Sequence, residues 1–191
     1  MARCFVFLYA IVLSSSLFAS VSYDHVLTTS GTYSLNINQA EKKFEDVLLE
    51  EELILKNFNP ADVKVLKKTV TGNDFEYYIE KKILGFTKRF QILGTVNIER
   101  TASGCASGEN AYLAYFDFSR SGADVTDAVA ALGLAICTKV VNETSLQIKT
   151  TNSLYYRGRK YGMITEPIAK SVINDQINQF FNAVKSLANT L

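Results

Sequence analysis

The chain has no tryptophan, one histidine, two prolines and two methionines in 191 residues. It also lacks an excess of either charge, with 20 Lys and Arg against 19 Asp and Glu. The near-neutral balance removes the basic excess by which nucleic acid is bound, so no nucleic-acid partner is expected. The lone histidine, His25, is the only imidazole for a Ser-His or Cys-His pair. Two cysteines and one imidazole near the start of the chain make a poor zinc set, and neither a metal nor a cofactor is expected. Two prolines beside 48% hydrophobic and 12% aromatic residues exclude a disordered, tail-like chain. Beyond residue 22 no stretch approaches the roughly 18 apolar residues of a membrane-crossing helix.

What is present begins with a leader pattern. Arg3 precedes an unbroken apolar run from Cys4 to Leu13, and small polar residues follow to Ser22, with Ser20 and Ser22 fitting a small-x-small cleavage site. This reads as a secretory signal peptide over residues 1–22; the apolar run is too short for the alternative, a membrane anchor. The expectation is export to the periplasm or the extracellular space, with residues 23–191 as one domain long enough to bury a core. Arg3 would leave with the leader, making the remainder formally neutral. Cys4 would leave too, and the remaining pair, Cys105 and Cys137, is most simply a disulfide in an oxidising compartment, worth about 3 to 4 kcal/mol by loop-closure entropy. Two buried thiols are the alternative.

The pattern along the chain alternates between periods of two and of 3.6. His25 to Ile37 is extended around a break at Ser30 and Gly31. Asn38 and Glu41 form a capping-box signature, and Phe44, Val47 and Leu48 follow at helical spacing. The phase slips at Glu50 to Glu52 before Leu53, Ile54, Leu55 and Phe58, which predicts two short helices or one bent one, ended before Pro60. Val63 to Val70 and Phe75 to Ile83 read as strands joined by the turn Thr71 to Asp74. With a loop at Phe86 to Arg89, the next strand, Phe90 to Arg100, sets Tyr77 opposite Ile98, Ile79 opposite Val96 and Lys81 opposite Gly94. After a Gly- and Ser-rich loop to Asn110, Ala111 to Ser119 is a strand apolar on both sides. Ala128 to Val141 fits a helix by its alanines and leucines and a strand by its second half. Ser145 to Tyr156 is the last strand, with Leu146, Ile148 and Leu154 on one face. Ile164 to Leu191 then carries an apolar stripe at helical spacing, including Ile173, Ile177 and Phe180, and needs a broad apolar surface to lie on.

The resulting order, strand, two short helices, six strands and a long terminal helix, resembles the Bet v 1-like or START-like superfamily (SRPBCC, polyketide cyclase-like) of helix-grip domains. The resemblance spans Tyr23 to Leu191 and rests on element order; of the glycine-rich loop of the plant allergens only Gly72 is present. It implies an α+β fold in which a curved antiparallel sheet of about seven strands (β-αα-β6-α) grips the C-terminal helix. A closed lipocalin-like barrel is the alternative fold.

The resemblance further implies a carrier or binding protein that holds an apolar or amphipathic, lipid-like small molecule between sheet and helix. The lining would be Tyr77, Ile79, Lys81, Ile92, Val96, Leu113, Tyr115, Ile148, Ile173, Ile177 and Phe180. Inward tyrosine hydroxyls would favour a pocket over a solid core, because they need partners. A filled-core interaction module meeting a protein partner through Phe116 and Phe118 is the second reading. A cyclase-like enzyme, with Lys81 and Asp117 as its only inward ionisable groups, is the third, and no catalytic residue is assigned. The aromatic and basic run Tyr155 to Tyr161 suits a peripheral membrane contact or a solvated loop. Asn142-Glu143-Thr144 is a glycosylation acceptor if the source is eukaryotic.

Overall fold

The computed structural model describes residues 25–83, 85–126, 129–156 and 166–191. The leader pattern, the basic loop at 157–161 and the start of the terminal helix at Ile164 lie outside these residues. The elements are β1 His25–Asn36, α1 Ala40–Leu48, α2 Glu51–Asn57, β2 Lys64–Thr71, β3 Asp74–Ile83, β4 Phe86–Thr101, β5 Asn110–Asp117, α3 Ala123–Thr126, β6 Ala131–Asn142, β7 Ser145–Tyr156 and α4 Glu166–Ala188. All seven strands form one curved antiparallel sheet in the order β1-β7-β6-β5-β4-β3-β2. The stretch from Ala131 is therefore strand: its small residues sit directly against β5 and β7.

Several local expectations change. β1 runs unbroken through Ser30 and Gly31, because β7 pairs with it along its whole length. The capping box at Asn38 does not form. Gln39 sits at the N-cap in a left-handed conformation (φ 55°) with no side-chain cap, and the Ala40 N–H is instead taken by the carbonyl of Glu143 in the β6–β7 turn. The β3–β4 turn is tight rather than a loop at 86–89. Ile83 pairs with Phe86, Ile79 with Phe90, Tyr77 with Ile92 and Lys81 with Lys88, and Gly85 supplies the positive φ of 82° that the reversal needs. The shift from the expected register is even, so every side chain keeps its face.

β4 is long because it changes partner. Phe86 to Thr95 pairs with β3 and Thr95 to Thr101 with β5. Where β5 stops, the following loop serves as a partner: the Ser121 hydroxyl accepts from the Leu93 N–H and donates to the Leu93 carbonyl, both at 2.8 Å, while Arg120 donates to the Gly94 carbonyl. Gly94 is required there, because a Cβ would lie 2.4 Å from the Phe75 ring that covers it.

Alternation along the strands puts Leu27 and Leu35, Phe75, Tyr77 and Ile79, Val96 and Ile98, Tyr112, Ala114 and Phe116, Leu134 and Ile136, and Leu146, Ile148 and Leu154 on the inner face, in one buried cluster. α4 adds Ile173, Ile177, Phe180, Phe181, Val184 and Ala188 to that cluster. A relay of rings fastens the helix to both halves of the sheet: Phe75 meets Phe118, Phe118 stacks on Phe116, Phe116 meets Phe180, Phe180 meets Phe181, and Phe181 stacks on Tyr33 at 4.4 Å. Such pairs add about 0.5–1.5 kcal/mol each beyond the area they bury. The Gln176 amide pins α4 to the chain after Pro60, accepting from the Ala61 N–H at 3.1 Å and donating to the Ala61 carbonyl at 3.2 Å.

Candidate functional site

The space of interest is the inner face of the sheet beneath α4. Of the residues expected to line it, Tyr77, Ile79, Val96, Ile148, Ile173, Ile177 and Phe180 are buried in the common cluster, and Ile92 packs against it half-buried. Two are not on this face. Leu113 pairs with Glu99 and Ala135, and Tyr115 with Asn97 and Gly133, so both point to the outer side. There Tyr115 packs with Ala130, Ala131 and Tyr155. The physical reason is that β5 is apolar on both faces, so its periodicity alone does not choose one. The pairing of Phe116 with Val96 puts Tyr112, Ala114 and Phe116 inward. Phe116 and Phe118 therefore pack against the core and offer no exposed patch for a protein partner.

The two ionisable groups expected to face inward, Lys81 and Asp117, are not brought together either. Asp117 lies on the outer face opposite Thr95 and Ala131, with its carboxylate accepting from the Ser119 N–H at 2.7 Å. Lys81 continues the inner face of β3 past the end of β2, opposite Lys88.

Tyr77 lines the interior with its ring only. Its hydroxyl donates to the Leu55 carbonyl at the end of α2, at 2.8 Å, and burial raises its pKa. Beside it the Lys68 ammonium donates to the carbonyls of Lys56 and Phe58 at 2.9 and 2.7 Å. A cation at a helix C-terminus meets the negative end of its dipole, and burial lowers the Lys68 pKa. The β2–β3 end of the interior thus has these hydrogen bonds internally closed.

The opposite half does not. Thr138 on β6 and Thr150 and Asn152 on β7 are 2%, 3% and 1% exposed, and all three share the inner face with Ile136, Ile148 and Leu154. Among the described residues, the Thr138 and Thr150 hydroxyls and the Asn152 amide oxygen have no hydrogen-bond partner. Asn152 donates through its amide nitrogen to the Thr29 hydroxyl of β1 at 3.2 Å; whichever way the amide is turned, one of its polar atoms is left over. Leaving such groups unpaired costs about 1–3 kcal/mol each. The signal was present in the sequence: Leu146, Ile148, Thr150, Asn152 and Leu154 alternate on one face, and the two polar members interrupt an otherwise apolar row.

Above this strip, the Tyr33 ring folds back over Gly31, whose absent Cβ would sit 2.9 Å from the ring. Burial raises the pKa of Tyr33. Tyr112, also on the inner face, has a buried hydroxyl without a hydrogen-bond partner among the described residues, its pKa pushed up to about 12, first by burial and then by the nearby Glu45 carboxylate.

The expected disulfide joins Cys105 to Cys137, with their Cα atoms 5.6 Å apart. It ties the loop before β5 to β6 and borders a separate depression of about 470 Å³ on the outer face. Ser30, Thr32, Glu109, Lys149 and Thr151 line that depression, and the Lys149 ammonium stands 3.5 Å from the Glu109 carboxylate across it. No helix among the described residues is long and apolar enough to cross a membrane.

Solved structures share this arrangement. A conserved protein from Geobacillus kaustophilus superposes with a TM-score of 0.52 at 14% identity, covering 86% of this chain and 96% of its own. A sheet in this strand order, closing on a C-terminal helix with two helices after its first strand, decides the architecture. The chain has the helix-grip fold. A START superfamily protein from Mycobacterium smegmatis aligns with this helix-grip domain at a TM-score of 0.47 and 10% identity, over 86% of this chain and 98% of its own. The Zhui aromatase/cyclase from Streptomyces sp. R1128 aligns at 0.43 and 13%, over 86% and 94%. At these identities the likeness is one of fold, and activity has to be read from the site. No protein-family model and no curated protein matches the chain.

Proposed function

We propose that this helix-grip domain is an exported carrier or binding protein that holds an amphipathic small molecule between its sheet and α4. The observation that carries the reading is the strip of Thr138, Thr150 and Asn152, buried with unpaired polar atoms on an otherwise apolar face. Buried polar groups are almost always hydrogen-bonded, and a ligand or ordered water is the usual partner when the protein supplies none. A ligand with a hydroxyl or amide head would give a donor to the Asn152 oxygen and exchange hydrogen bonds with the two threonines. Its apolar body would lie against Ile148, Ile173, Ile177 and Phe180, and Val96 and Ile92 extend the same face. The leader pattern and the Cys105–Cys137 disulfide support export, since disulfides persist in oxidising compartments.

The test is displacement of an environment-sensitive fluorophore from the purified protein by fatty acids, fatty alcohols and sterols, together with mass spectrometry of co-purified lipid. The expected result is displacement that is strongest for ligands with a donor head and is lost in Asn152→Leu. If nothing is displaced and no bound species is found, the reading fails.

A further inference from the structure

The β3–β4 hairpin continues beyond the body of the sheet. β2 stops pairing with β3 at Glu80, and β5 with its following loop accompanies β4 no further than Leu93. Lys81 to Ile83 and Phe86 to Lys88 therefore form a two-stranded arm with no third strand beside it, and the Glu80–Arg89 pair closes its base. Near its end Phe86 is 74% exposed, one of the most solvent-accessible large apolar side chains described. The sequence at the bend, Ile83 to Phe86, holds no polar side chain.

Around this apolar tip stand Lys81, Lys82, Lys88 and Arg89, four cations against the single acid Glu80. The arm thus carries a net +3 in a chain whose total is +1. Arg89 meets Glu80 at 3.1 Å; among the described residues no carboxylate pairs with Lys81, Lys82 or Lys88. Lys81 and Lys88 are direct cross-strand partners on the same face as Phe86. Like charges in that position repel and destabilise a hairpin unless an anion lies between them. The lysine pair lies two positions from Phe86 along the strand, with only Thr87 between, about 7 Å at 3.3 Å per residue. This is the spacing that puts an apolar side chain at the acyl boundary, 5–10 Å deep, while cations remain at the phosphates.

We propose that the β3–β4 arm docks the protein on an anionic lipid surface, with Phe86 entering the headgroup layer and Lys81, Lys82 and Lys88 meeting lipid phosphates. A soluble polyanion would satisfy the lysines and leave Phe86 without a role, so the exposed ring selects a bilayer over nucleic acid or an acidic polysaccharide. The proposal is independent of what the interior holds.

Because the chain has no tryptophan, Phe86→Trp places a single indole at the tip. On vesicles of phosphatidylcholine with 30% phosphatidylglycerol, its emission shifts to the blue and is quenched by brominated acyl chains. On pure phosphatidylcholine the shift is small. In flotation at low salt, Lys81→Gln with Lys88→Gln weakens binding to the anionic vesicles by more than tenfold, at about fivefold per lysine. Phe86→Ser weakens it severalfold, and unchanged thermal melts show that the variants are folded. Every variant carries the same N-terminus, so differences between them report the arm. Three outcomes overturn the proposal: equal binding to both vesicle types, anionic binding that the double lysine change leaves intact, or binding without an indole shift. A heparin affinity that depends on the lysines and not on Phe86 also overturns it and identifies the arm as a polyanion site.

Discussion

The two halves of the inner sheet face lie under the same helix and differ in how they treat polar groups. On the β2–β3 side, Tyr77 and Lys68 bring a hydroxyl and an ammonium inward, and α2 presents carbonyls to both; on β5, between the two halves, the buried Tyr112 hydroxyl has no hydrogen-bond partner among the described residues. On the β6–β7 side, Thr138, Thr150 and Asn152 bring polar atoms inward and nothing described meets three of them. The first half is built as core. The second has the chemistry of a site. The difference teaches that an inward polar residue marks function only when the fold leaves it unpaired.

Four substitutions test that contrast, in decreasing order of effect. Phe180→Ala, at the centre of the ring relay, should cost about 3–5 kcal/mol in urea unfolding; a loss under 1 kcal/mol would mean the helix is not held by its aromatic contacts. Asn152→Leu should act in the opposite direction, leaving the ligand-free protein unchanged or more stable by roughly 1 kcal/mol while reducing fluorophore displacement. A loss of 2 kcal/mol or more would show Asn152 to be structural and would erase the contrast.

The third test uses pH. Tyr112 has its pKa raised from 10 to about 12 in the folded protein, so above pH 10 the unfolded chain loses its proton first. The stabilising contribution is complete below pH 10 and declines as pH rises towards 12. Between pH 9 and 11 Tyr112 alone should remove about 1 kcal/mol. Tyr112→Phe should flatten that part of the profile, and an unchanged slope would contradict the burial of the hydroxyl. The smallest effect belongs to Glu80→Gln, which breaks the exposed pair with Arg89. It should change stability by less than about 1 kcal/mol, with no effect on ligand displacement.

Much of the architecture was legible in the chain. The switch from period 3.6 to period two after Pro60 and the stripe ending at Leu191 mark which segments become helices and strands. The β3–β4 faces were also readable, since Tyr77 and Ile79 alternate with Glu76 and Glu80. The face of β5 was not, because Leu113 and Tyr115 are as apolar as Tyr112 and Phe116, and only pairing with Val96 on β4 distinguishes the sets. Nor was the helix start at Ala40, whose N–H finds its partner more than a hundred residues away in the β6–β7 turn.

Taken alone, the amino-acid order determined most helices and strands, the pair of cysteines Cys105 and Cys137, and an apolar stripe on the last helix. Periodicity and residue type are local properties, and these follow from them. The order left the stretch from Ala128 open until pairing with β5 and β7 made it a strand from Ala131. Which tyrosines face inward, which of their hydroxyls are taken by a carbonyl and which polar side chains of β6 and β7 are left unpaired were decided by the tertiary structure. Those outcomes depend on register and on contacts between distant residues, where a displacement of one position carries a side chain to the other face of the sheet.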